Sequence, residues 1–382
     1  MAPYLIAFAF SACFFELGKN IETSRYGKYW AAIFYSLGVL TLCVVAGARD
    51  LNVGTDTAGY GIFLFNQGVD SVSFQDFTAA IDDSPWDVAP LFALYVFAVI
   101  KLFGSQFVYF FAIELAIVVP IVLVARRGCN RYMGIVMLLY MLTSFIPSLN
   151  MMRQSVAIGL VLLSTIEFMD GRFVLAAVCE LAATQVHTSA LMGLSFWILI
   201  LFFFKRGGQS GVWLRRNLFI QRIGLLTLFT ILSLIFFEEI SAFFSGNDSV
   251  GRLFLYGTHS RNGYGMSELA YLTALMVGSI LLFVQARKGN DFYPFCYMVM
   301  LSVSLPFYVL SGIDTTIGRM MEYCVIFVIP FVCYFLSNQN RPFFQPGIWC
   351  IVGACAFRFF FCFVYKGFNE AIPYVSTILG IS

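Results

Sequence analysis

Charge is the first scarcity in this chain. Only 12% of its 382 residues are Asp, Glu, Lys or Arg, where a soluble domain carries about 25%. Hydrophobic residues make up 60%. No soluble core can hide that much apolar surface, so the composition excludes a soluble globular protein. It reads as an all-α, polytopic membrane protein. Histidine is nearly missing, with two residues in all. The ten cysteines include no Cys-x-x-Cys pair, and they lie in apolar runs or, for Cys129, beside a basic cluster. That excludes a zinc site or disulfide framework and leaves small buried hydrophobes. There is no P-loop, dinucleotide fingerprint, Gly-x-Ser-x-Gly elbow or His-Glu-x-x-His pair. No cofactor is expected, and no metal: Asp50 and Asp56 alone are a weak ligand set. The net charge of +2 gives no footprint for nucleic acid. Pro3–Leu17 lacks a basic leader and a cleavage site, so it reads as a first span and not as a signal peptide.

What is present is a succession of apolar runs. Spanning helices are expected near 3–17, 30–48, 107–125, 133–148, 154–169, 173–187, 190–204, 223–237, 268–286, 292–310, 319–336 and 346–365, about twelve in one membrane domain. Lys and Arg concentrate on the cytoplasmic side of such proteins. That rule places Lys19, Arg25 and Lys28 inside, with Arg126, Arg127 and Arg131, Arg172, the loop 205–222, Arg287, Lys288 and Arg341. Fifteen of the 23 basic residues are then cytoplasmic and both termini lie outside. The run 89–103 breaks the parity. It is short and carries Lys101, so it reads as a juxtamembrane or re-entrant helix on the outer face. The main outer elements are 49–106 and 238–267.

The outer face is basic chiefly through arginine, whose planar fork suits phosphate oxygens. The stretch Arg49–Tyr60 leaves a membrane helix with Arg49, Asp50, Thr55 and Asp56. Asn150, Arg153 and Gln154 open another helix; an arginine in a first turn opposes the helix dipole and calls for an anion. His187 ends an outward helix. Arg319 begins one, near Asp314, Glu322 and Tyr323. Each has a plainer reading: snorkelling for Arg49 and Arg153, a hydrogen-bonded interfacial residue for His187, an ion pair for Arg319. Glu180, deeper on the helix of His187, is placed to orient a polar network or to pair with Arg358, which lies mid-span.

Taken in order, these patches resemble the EpsG-type, Wzy-like polysaccharide polymerases. The residues concerned are Ala48-Arg49, Gly54-Thr55-Asp56-Thr57 and Tyr60; Asn150, Arg153-Gln154 and Ala157; His187-Thr188-Ser189-Ala190; and Arg319, Tyr323 and Pro330. The likeness runs over about 1–336, with Asn369–Tyr374 resembling the family's outward tail. Ala89-Pro90-Leu91 through Lys101 to Gly104, then the run ending Arg126-Arg127, resembles GT-C glycosyltransferases. The resemblance implies an outer-face enzyme of the bacterial inner membrane. It would join undecaprenyl-pyrophosphate-linked repeat units by glycosyl transfer to a sugar hydroxyl, for O-antigen, capsule or exopolysaccharide. A chain-length regulator is the partner it suggests. Arg153 and Arg319, then Arg49, would meet the pyrophosphate. Asp56 or His187 would be the base, the GT-C likeness favouring Asp56. Thr55, Tyr60, Asn150, Gln154 and Tyr323 would hold sugars or orient these groups. The alternatives are a lipid-linked oligosaccharide flippase, an O-antigen ligase and an acyltransferase.

Overall fold

The computed structural model describes residues 1–203, 266–285, 292–311, 315–338 and 345–381, apart from 23 and 25. Among the described residues, helices carry the fold and the strand-like pairing is one isolated bridge, Ser376 to Ile381. Eight stretches are long and apolar enough to cross a membrane: Ala2–Ile21, Gly27–Ala48, Gln106–Gly128, Met133–Asn150, Met152–Met169, Met266–Val284, Gly318–Asn338 and Pro346–Tyr365. The protein is a multi-pass membrane protein. Each of the eight overlaps a span expected from sequence. Three more expected spans coincide with the shorter apolar helices Phe173–Thr184, Thr188–Leu201 and Phe292–Tyr308. The expected span 223–237, the loop 205–222 and nearly all of 238–267 lie outside the described residues, as do Arg25, Arg287, Lys288, Asp314 and Arg341.

The parity question has a geometric counterpart. The helix Pro90–Phe103 has 14 residues, about 21 Å at 1.5 Å per residue, against a hydrocarbon core of about 30 Å. It opens on Pro90 and stops at Gly104, which takes a left-handed φ of 60°. The next helix, Gln106–Gly128, has 23 residues and is about 34 Å long.

That long helix separates two unlike ends of the bundle. At its C-terminal end, Glu22 accepts from Lys19 at 2.9 Å, from Arg126 Nε at 2.9 Å and from Tyr35 at 3.0 Å. Arg127 and Arg172 both pair with the buried Glu167 there. At its N-terminal end the first and last segments of the chain meet, Tyr4 donating to the Ala371 carbonyl at 2.8 Å. Small residues let the helices close. A methyl group on Gly38 would stand 2.9 Å from the Phe15 ring, too near for the Ala2–Ile21 and Gly27–Ala48 helices to keep their spacing.

Among the described residues, a charged cluster is buried in the core around Arg358. Arg358, 1% exposed, forks onto Glu322, with one arm at 3.1 Å. It donates to the Thr143 carbonyl at 2.9 Å and lies 3.5 Å from Glu268. This answers the mid-span arginine: its partners are Glu322 and Glu268. Glu180 is packed instead against Gly193, where an added methyl would stand 2.2 Å from the carboxyl.

Candidate active site

The site is assembled at the end of the bundle away from the Glu22 and Glu167 ion pairs. The chain leaves Gly27–Ala48 in an extended conformation at Arg49. Gly54 then takes φ +88°, a region that a side chain makes costly. The turn brings Thr55 and Asp56 onto Asn150. The Asn150 Oδ1 accepts from Thr55 Oγ1 and from the Asp56 backbone N–H, each at 2.9 Å. Asn150 can reach them because the helix is interrupted there: Ile146–Asn150 ends at Met151, whose φ/ψ of −85°/53° is not helical, and Met152–Met169 starts afresh.

Arg49 underlies this turn. It is 3% exposed and donates to the carbonyls of Ala46 at 2.8 Å and Leu149 at 3.3 Å, to Met152 Sδ at 3.1 Å and to Thr57 Oγ1 at 3.4 Å. Its guanidinium lies 4.4 Å from the Phe110 ring centroid. Its charged and phenolic neighbours are Glu114, Tyr4, Tyr60 and Tyr109. The fork is thus turned into the protein, and it fastens the loop to the Asn150 break.

Arg153 occupies the first turn of Met152–Met169, as the sequence suggests. Its Nη1 donates to the Asp87 carbonyl, and its guanidinium stacks 4.4 Å above the Tyr60 ring. Tyr60, 3% exposed, leans on Trp86 with centroids 6.0 Å apart. Its phenol oxygen accepts from the Arg153 backbone N–H at 3.4 Å. Arg319 is exposed on Thr315–Val325, and its carbonyl accepts from Gln154 Nε2 at 3.1 Å. Glu322, one turn on, is occupied by Arg358. His187 caps the turn Thr188–Leu191. Its Nδ1 lies 3.2 Å from the Ser189 backbone N and 2.6 Å from Ser189 Oγ. Ser189 Oγ in turn lies 2.8 Å from the Tyr323 hydroxyl. Tyr323 is fully buried and stands behind His187.

Electrostatics join these groups. Burial pushes the Asp56 carboxyl above the usual range, while Arg319 and then Arg153 pull it back. Burial, with help from Arg153 and Arg319, lowers the His187 imidazole to about 3. The same two guanidiniums therefore act on both residues, although Asp56, Arg153, His187 and Arg319 come from four separate parts of the chain. Arg49 and Tyr323 are the two expected contacts that the structure sets beneath the group.

The C-terminal segment ties the loop from above. Gly54 N–H donates to the Glu370 carbonyl and Asp50 N–H to the Val375 carbonyl, each at 3.0 Å. The Thr377 N–H and hydroxyl both reach Asp50 Oδ1, at 2.9 and 3.0 Å. Asn150 Nδ2 points to Asn369 Oδ1 at 3.4 Å. Trp86 and the Asp87 carbonyl are site features that no motif marks; a lone tryptophan beside the Asp82, Asp83 and Asp87 patch is their one signal in the sequence.

A family model described as the EpsG family matches residues 32–376. That interval takes in the loop, all three arginines, His187 and the tail down to Ser376. The chain belongs to the EpsG family. EpsG proteins are Wzy-like polymerases of the exopolysaccharide and O-antigen type, and this places the protein among polysaccharide-assembling enzymes. Neither a curated protein nor a solved structure matches the chain.

Proposed function

We propose that this EpsG-family protein joins undecaprenyl-pyrophosphate-linked oligosaccharide repeat units at the outer face of the bacterial inner membrane. The observation that carries the reading is the pair Arg153 and Arg319, one in the first turn of Met152–Met169 and the other in the second turn of Thr315–Val325, brought together where Gln154 Nε2 donates to the Arg319 carbonyl at 3.1 Å, and both acting on Asp56 and His187. In the reaction, a sugar hydroxyl of the acceptor unit attacks the anomeric carbon of the donor. The new C–O bond forms as the bond to pyrophosphate breaks, and the electron pair leaves with the pyrophosphate. The two guanidiniums meet that growing negative charge in a site where they are already placed. Asp56 takes the hydroxyl proton, and its burial makes the carboxylate a better base than an exposed aspartate.

Placement of the site at the end of the bundle remote from Lys19, Arg126, Arg127 and Arg172 supports the outer face by the positive-inside rule. The short Pro90–Phe103 ahead of the long Gln106–Gly128 supports the GT-C kind of arrangement. Thr55, Tyr60, Asn150 and Gln154 line or hold the site; Arg49 anchors its loop.

The test is reconstitution with purified lipid-linked repeat unit, read as a product ladder. The wild-type protein should give a ladder. Arg153→Ala and Arg319→Ala, at equal protein level, should give single units. Because arginine carries the pyrophosphate charge in this reading, the ladder should persist in chelator. Long polymer from both variants would sink the pyrophosphate role.

A further inference from the structure

The two candidate bases differ in what their hydrogen bonds permit. A backbone N–H can only donate, and the Ser189 N–H is aimed at His187 Nδ1 at 3.2 Å. Ser189 Oγ approaches the same nitrogen at 2.6 Å. With Nδ1 accepting from the Ser189 N–H, Ser189 Oγ can only donate to it, and the Tyr323 hydroxyl, 2.8 Å from Ser189 Oγ, then donates to Ser189. The single lone pair of Nδ1 is therefore shared between the two Ser189 donors. In a neutral imidazole the remaining nitrogen, Nε2, must then carry the hydrogen. The ring is kept neutral by burial and by the two guanidiniums, Arg153 and Arg319, that act on it; the carboxylate of the group, Asp56, is under the same two arginines.

The geometry points to His187 as a fixed hydrogen-bond donor through Nε2 to the pyrophosphate oxygens of the lipid-linked donor, with Ser189 as its positioning residue and Tyr323 completing the relay. The inference rests on the polymerase reading and adds a role to it. A ring locked in this tautomer has no free lone pair facing the substrate, so the acceptor proton goes to Asp56 alone. His187 makes a third donor to the leaving group, beside the two arginines. It differs from them in being uncharged, so it stabilises the developing charge without competing for Asp56.

Glutamine and asparagine separate the two roles. The glutamine amide reaches about as far as imidazole Nε2 and donates, but it cannot take a proton. The asparagine amide stops near the Nδ1 position. In the ladder assay, His187→Gln should stay within about tenfold of wild type. His187→Ala and His187→Asn should fall about a hundredfold, the usual effect of removing one donor from a developing oxyanion. Ser189→Ala should slow the wild type several-fold yet add nothing in the His187→Gln background, since the relay it completes is already gone. Asp56→Asn should lose at least a hundredfold. A His187→Gln protein that elutes as wild type but is as slow as His187→Ala overturns the donor role. So does an Asp56→Asn protein that still polymerises at the wild-type rate, which keeps the test open if a His187 variant fails to fold. A wild-type protein that makes no ladder from the lipid-linked unit is a different failure: it overturns the polymerase reading, and this one with it.

Discussion

Asn150→Ala is the most direct perturbation of the loop, because one side-chain oxygen holds two of its residues. Oδ1 accepts from Thr55 Oγ1 and from the Asp56 backbone N–H, both at 2.9 Å. Each such bond contributes about 0.5–1.5 kcal/mol net, and a buried donor left unsatisfied costs about 1–3 kcal/mol. The loss of both bonds, with partial rehydration of the Asp56 N–H, amounts to about 2 kcal/mol against the placed loop. At about 1.4 kcal/mol per factor of ten, the competent loop population falls about thirtyfold. The helix break at Met151 is in the backbone and remains, so the protein should be made and should elute normally. Asn150→Asp keeps both acceptor bonds and gives up only the 3.4 Å contact from Nδ2 to Asn369. It should therefore outperform the alanine, but with its acid limb moved to higher pH, since a second carboxylate beside Asp56 disfavours ionisation. Initial rates of unit transfer, measured across pH with the three proteins at equal level, decide this. Wild-type rates from Asn150→Ala would refute the loop argument.

Other outcomes follow from the same geometry. Burial raises the Asp56 carboxyl, and a base works only when deprotonated. Polymerisation by the wild type should therefore fall as pH drops through a value above the ordinary aspartate pKa of about 4, and a limb at or below that value would contradict the burial argument. Arg358→Met should lower the melting temperature in detergent sharply, because it leaves Glu322 and Glu268 buried without their cation, a loss of about 3–5 kcal/mol; adding Glu322→Gln should recover part of it. A chain ended at Gly367 should express and insert yet give single units only, since the carbonyls of Glu370 and Val375 that hold Gly54 and Asp50 are gone. Ladder length from the truncated protein checks this.

The membrane class and most spans are legible because a soluble core has no room for so many apolar runs of bilayer length. Eight spans can be placed to within a few residues for that reason. The helices 173–184 and 188–201 are shorter than composition suggests, since apolar residues continue past the point where His187 turns the backbone. The site is legible as separate polar patches at helix ends. Direction is not. Arg49 and Arg153 look alike in sequence, each beside a membrane helix. Yet one fork is filled by the carbonyls of Ala46 and Leu149, while the other lies over Tyr60 next to Asp56. The distinction depends on the Met151 break, which exposes the Leu149 carbonyl to Arg49, and no local pattern around Met151 announces it. The Ser189 contact to His187 is local, two residues away, and is implicit in the His-Thr-Ser-Ala run. Its link to Tyr323 spans 134 positions and needs the fold. Arg358 is recognisable as an anomaly, but its partners are not, since Glu180, Glu268 and Glu322 are all carboxylates in apolar helices.

The tail that fastens the Asp50–Gly54 turn also sets when that turn can close. Thr377 and Asp50 are 327 positions apart, so a ribosome adding about 5–20 residues per second makes the tail tens of seconds after the loop. Until then the loop has its Asn150 contacts at best, and the N–H groups of Asp50 and Gly54 have no carbonyl to meet. The turn therefore takes its final form only after synthesis has passed Val375, so one of the last segments made finishes one of the first loops made.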